Sequence, residues 1–151
     1  MNIKYFALDL LISFYANSLN HSNQTPDQIV GKWMSVEGNI TVQVLKEGNR
    51  FKATVLWFDD SDDKAKPMNT RTDEHNPDRT LRNQKIIGLQ VLRNLKYNPK
   101  TSQWEDGIIY DSRTGKEWNS SVCLTNEGLL KVKGFWHFEL ISRTASFKKV
   151  G

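Results

Sequence analysis

From Gly31 onward, apolar residues come in short runs that mostly alternate with polar ones, and Gly, Asn, Asp and Pro punctuate them. A period of two marks a half-buried strand, because successive side chains of a strand point to opposite faces. In "NITVQV", Ile40, Val42 and Val44 fall on one face and Thr41 and Gln43 on the other. In "RFKATVLWF", Phe51, Ala53, Val55 and Trp57 are set against Lys52, Thr54 and Leu56, and the intervening "KEGNR" is a hairpin-turn sequence. The same reading predicts strands over residues 89–97, 104–111, 116–124, 129–136 and 143–150, with "NPKTSQ", "DSRTGK" and "TNEG" supplying the glycine, proline or Asx residues of tight turns.

Consecutive antiparallel strands of this kind bury one face and remove their edges by closing into an up-and-down barrel of about eight strands. A two-layer sandwich is the competing arrangement, since strand pattern alone does not report closure. The fold class expected is therefore all-β, with one long interruption over residues 59–85 that acts as a capping loop. Within it "HNPDRTLR" carries signals for a short helical turn: Asn76 as cap, Pro77 at the first position and Asp78 in the first turn. That turn is expected to project Leu81 inward and Arg79 and Arg82 sideways.

Composition changes the picture in a few places. A chain of 151 residues supports one domain, and five Trp, seven Phe and four Tyr predict an aromatic core. The formal charge of +4 is spread through interspersed acids, which argues against a nucleic-acid partner. Cys123 is the one cysteine, so no intramolecular disulfide forms, and His21, His75 and His137 show no metal-ligand spacing; neither a metal nor a cofactor is expected. Residues 1–18, "MNIKYFALDLLISFYANS", have an early cation, an apolar run and small residues at Ala16 and Ser18. They read as an export signal, too short for a stable membrane span, with Asp9 as an untypical charge inside it; the alternative is an apolar N-terminal helix retained in a cytosolic protein. Residues 19–28 read as a polar linker and residues 29–151 as the barrel, exported to the periplasm or beyond.

"NPDRTLRNQKIIGLQVL", "WEDGIIYDSRTGKEW", "LKVKGF" and "SRTASFKKV" resemble in order the domain of unknown function family 2147, small exported bacterial domains, over residues 29–150. The resemblance implies a lipocalin-like or calycin-like barrel and export, and implies no reaction. The chain departs from that family where many relatives look to carry cysteines, at Glu47 and Lys52, near the last turn at His137 and Ser142, and in the final strand, where Phe147 replaces the usual Trp. "GKW" ending at Trp33 resembles the lipocalin first-strand signature, which implies a cation over the indole from the last strand, either Arg143 or Lys149.

Three constellations carry candidate chemistry. "DDSDDK" over residues 59–64 offers oxygen ligands but lacks the glycine and distal glutamate of a calcium loop, and reads as a solvated acidic turn. Arg82, Asp111 and Arg143 form a candidate polar cluster, either an ion pair tying the loop to the barrel or a site for an anionic ligand. Val55, Trp57, Trp118, Val122, Val132 and Phe147 are the expected interior lining. Nucleophile-elbow and phosphate-loop motifs do not occur, and no enzyme activity is expected. The leading expectation is a binding module for a small apolar or amphipathic ligand, contacted by Trp57, Arg82, Asp111, Trp118, Arg143 and Phe147. The alternative is a filled barrel serving as a structural or protein-interaction domain of the cell envelope.

Overall fold

The computed structural model describes residues 24–135 and 142–151. Strands follow in chain order: β1 Gly31–Ser35, β2 Ile40–Glu47, β3 Arg50–Phe58, β4 Gln90–Asn98, β5 Gln103–Asp111, β6 Lys116–Leu124, β7 Leu129–Phe135 and β8 Ser142–Val150. Each pairs with the next, and β8 pairs antiparallel with β1, so the sheet closes into an up-and-down barrel. Closure pairs the backbone groups that a sandwich would leave along its edge strands. The export signal read in residues 1–18, Trp136 at the expected end of the seventh strand and His137 of the last turn lie outside the described residues.

One barrel end is sealed. Ile29, Trp33, Phe51, Leu95 and Trp104 are each at most 1% exposed. Burying an indole requires a partner for its N–H, and here the chain before β1 provides it. A 3₁₀ turn at Pro26–Ile29 presents carbonyls to both tryptophans, with Trp104 Nε1 donating to Pro26 O at 3.0 Å and Trp33 Nε1 to Ile29 O at 2.8 Å. The Tyr97 hydroxyl donates to Gln24 O at 2.9 Å, and Gln24 Nε2 donates to Leu124 O at 3.0 Å. Residues 24–28, which read as linker, are thus folded onto the barrel.

Lys149 Nζ lies 5.6 Å from the centroid of the Trp33 ring and donates to Gln28 O. Of the two cations expected over this indole, Lys149 occupies the place and Arg143 stands at the opposite end of β8. Gly31 makes room for it: its φ is +136°, and a Cβ there would come within 3.0 Å of Lys149 Cε. Glu47 and Lys52 form an ion pair at 2.8 Å. Its exposure limits its worth to about 1 kcal/mol at most.

Strict alternation breaks at several points, and two of them decide which residues face inward. Val42 pairs with Val55 but Thr41 pairs with Trp57, so Leu56 is an extra residue in β3. Cross-strand partners share a face, and the bulge therefore turns Trp57 to the side of Thr41, away from Val55. Trp57 is 39% exposed, which corrects the expectation that it lines the interior. In β4 and β5, Asn94 and Asp106 have φ of 62° and 59°. This left-handed conformation suits Asn and Asp best after Gly. It sets Leu92 and Leu95 both inward on β4, and Trp104 and Gly107 both inward on β5, three residues apart instead of two.

Candidate functional site

The other barrel end, the mouth, carries the β1–β2 turn, the long loop between β3 and β4, and the β5–β6 turn. The loop is folded around residues that its sequence did not advertise. Asp73 is fully buried; its Oδ1 accepts from the Tyr110 hydroxyl at 2.8 Å and its Oδ2 from Asn76 Nδ2 at 2.7 Å. Tyr110 alternates with Ile109 and Asp111 on β5, so the loop crosses the rim and docks on the outer wall. Burial, the hydrogen bond to Asp73 and that carboxylate's charge together push the Tyr110 phenol well above its ordinary range. Gly115, with φ +67°, completes the seat: a Cβ there would lie 2.0 Å from His75 O.

Arg71 organises the acidic end of the loop. Its guanidinium donates to Asp62 Oδ1 at 2.7 Å and to the carbonyls of Lys66, Asp60 and Asp63, and it lies 5.6 Å from the Phe58 ring centroid. The hydrogen bond from Arg71 holds the Asp62 carboxyl below its usual range. The "DDSDDK" stretch is accordingly a turn closed by an arginine.

Several expectations for the loop are corrected. The short turn is 3₁₀, Arg79–Leu81, and its cap is Asp78, whose carboxylate accepts from Thr80 N. Asn76 instead receives Asp78 N on its Oδ1 while its amide serves Asp73. The shift arises because the buried carboxylate competes for the asparagine. Leu81 is 45% exposed and anchors nothing inward. Arg82 does not meet Asp111: its Nε donates to Asn76 O at 2.8 Å. Asp111 is occupied within the β5–β6 turn, accepting from Arg113 N at 3.0 Å, Arg113 Nε at 3.3 Å and Thr114 Oγ1 at 3.2 Å. The expected Arg82, Asp111 and Arg143 cluster is therefore not assembled.

What the register does assemble is an inward-facing wall on β6, β7 and β8. Val122, Val132 and Ala145 form one row across it, and Ser120, Gly134 and Arg143 the next toward the mouth. Trp118 and Ile109 pair beside them and are half-buried, as are Val132 and Phe147. Gly134 leaves that wall flat, since a Cβ there would make ordinary contact with Ile109 Cδ1 at 3.5 Å and Trp118 Cβ at 3.8 Å. Past Ser35, where β1 ends, β8 continues with only β7 as its strand neighbour, and Arg143 and Ala145 are exposed. Among the described residues Arg143 makes no ion pair. Ser120 is 1% exposed and its hydroxyl has no hydrogen-bond partner among them.

Phe147, Trp118 and Arg143 thus share the barrel's inner face; Asp111 is on the same face by register but its carboxylate is used within the β5–β6 turn, and Trp57 and Arg82 serve elsewhere. The Asp73–Tyr110 contact went unread in the sequence. Its only signal was a tyrosine at an outward position facing a loop with more acids than its arginines needed. Among the described residues no group of three or more His, Cys, Asp or Glu is placed to hold a metal ion, and no helix is long and apolar enough to cross a membrane.

Comparison with known proteins agrees with this architecture. A search of curated proteins returns no match. A solved structure described as "Protein HP1028 from the human pathogen Helicobacter pylori belongs to the lipocalin family" superposes with a TM-score of 0.66 at 18% identity, covering 81% of this chain and 82% of that one. At that identity the likeness concerns the fold, a closed lipocalin-like barrel. The profile of the family described as "Uncharacterized protein conserved in bacteria (DUF2147)" matches residues 31–149. Because that match runs from the first residue of β1 to the penultimate residue of β8, taking in every strand of the barrel, the chain belongs to the bacterial family DUF2147.

Proposed function

We propose that this barrel is an exported binding module that holds one small apolar or amphipathic molecule in its mouth half, against Trp118, Ile109, Val132 and Ala145. The observation that carries the reading is the unequal filling of the inner face. At the sealed end Ile29, Trp33, Phe51, Leu95 and Trp104 are at most 1% exposed, whereas at the mouth the inward positions Ala145 and Arg143 on β8 are exposed and Trp118 is half-buried. An eight-stranded barrel has an interior that side chains fill or that one small ligand occupies, and concave apolar walls with a few polar groups are the usual form of such sites. The lipocalin-like fold supports the same reading by analogy only. No reaction is proposed.

Native mass spectrometry of protein purified from its own host tests it, with a co-purifying small molecule as the expected result. Ala145→Trp, which fills the inward wall at an exposed position, is expected to abolish that adduct, while Lys148→Trp on the outward face leaves it. Loss with both variants, or no adduct and no binding of apolar probes by wild type, would favour the filled-barrel interaction domain. Export rests on the composition of residues 1–18; protein from the native cell is expected to start after them, and an intact Met1 would refute it.

A further inference from the structure

We infer that the molecule held in the mouth is an amphipathic anion whose charged group is received by Arg143, an assignment that rests on the binding reading above. Arg143 lies on the inward row of β8 opposite Gly134, whose missing side chain leaves that place to Ile109 and Trp118. Along the same wall stand the apolar Ala145, Val132, Trp118 and Ile109. A guanidinium next to an apolar floor suits a ligand with one anionic end and an apolar body, since two N–H groups can reach a carboxylate in parallel.

The described acids of the mouth are already engaged. Asp111 is held by Arg113 and Thr114, Asp73 is sealed beneath Tyr110 and Asn76, and Glu37 accepts from Asn39 Nδ2 at 3.1 Å. Arg113 and Lys148 are the wrong cations for the role: the first is paired to Asp111, and the second lies between Phe147 and Lys149 and so faces outward. The charge at Arg143 is thereby left for a group that comes from outside the described chain.

The test compares ligands of one chain length, octanoate, 1-octanol and octylammonium, by isothermal titration calorimetry on the full-length protein. Octanoate is expected to bind at least roughly tenfold more tightly than 1-octanol, the size of a single charge-assisted contact, and octylammonium most weakly. Arg143→Gln should bring octanoate down to the level of 1-octanol while leaving 1-octanol unchanged; Arg143→Lys should restore part of the difference. Lys148→Gln, which removes the same charge from the outer face, should change nothing. Equal binding of octanoate and 1-octanol, or equal losses in Arg143→Gln and Lys148→Gln, would overturn the assignment and leave the binding reading standing. If none of the three binds wild type, the binding reading falls and this inference with it.

Discussion

Asp73 is the residue on which the long loop depends most. It is a fully buried carboxylate that accepts from two neutral side-chain donors, Tyr110 and Asn76. Asp73→Ala strands both donors and is expected to cost about 2 to 3 kcal/mol in urea unfolding. Tyr110→Phe removes one of the two contacts, and the double variant should cost less than the sum, as contacting partners do. Arg82→Ala, by contrast, loses one hydrogen bond to a carbonyl and is expected to cost about 0.5 to 1 kcal/mol, adding simply to Asp111→Asn because the two do not meet. The raised Tyr110 phenol gives a pH test. Its contribution to stability is complete below the ordinary phenol value of about 10 and declines as pH rises past it, because the unfolded chain ionises first. Tyr110→Phe should flatten the fall in urea midpoint between pH 9 and pH 11, values that bracket that ordinary phenol range, about 10.

Irregularities within the strands shape the barrel more than their regular stretches do. The left-handed residues Asn94 and Asp106 lie on neighbouring strands and bring Leu92, Leu95, Trp104 and Gly107 to the interior at a spacing that a period of two does not produce. Asn94→Val forces a β-branched residue into that conformation and is expected to cost about 1 to 2 kcal/mol, with Asn94→Gly close to neutral; thermal unfolding of the pair measures the difference. In the β5–β6 turn, Gly115→Ala adds a methyl where His75 O already sits. The expected outcome is an undocked loop, seen as faster hydrogen exchange at the amides of Asp73 and Asn76 with the barrel strands still protected.

At the scale of the whole molecule, the two barrel ends divide the work. One is closed by tryptophans whose indole N–H groups bind carbonyls just before β1, with Lys149 across Trp33. The other keeps an apolar wall and an arginine in reach of solvent. Lys149→Ala is expected to cost about 0.5 to 1 kcal/mol without altering ligand affinity, whereas Arg143→Gln is expected to do the reverse. Chemical denaturation and calorimetry on the same two variants check this separation of stability from binding.

Strand existence, antiparallel order and turn positions were legible in the sequence because they are set locally, by side-chain alternation and by Gly, Pro and Asx residues between runs. The motifs shared with DUF2147 pointed to a barrel before any closure was seen. Which face Trp57 takes was not legible: "VLWF" is apolar throughout, so nothing in it reports the extra residue at Leu56. The choice of Asp73 over Asp111 as the loop's anchor was likewise tertiary, since it depends on Tyr110 facing outward beneath a loop that follows β3. Arg143 was legible as an inward cation, but its lack of an ion pair among the described residues was not. A charge is left uncompensated only by where its possible partners go, and strand register and loop docking, which join residues far apart in the chain, decide that.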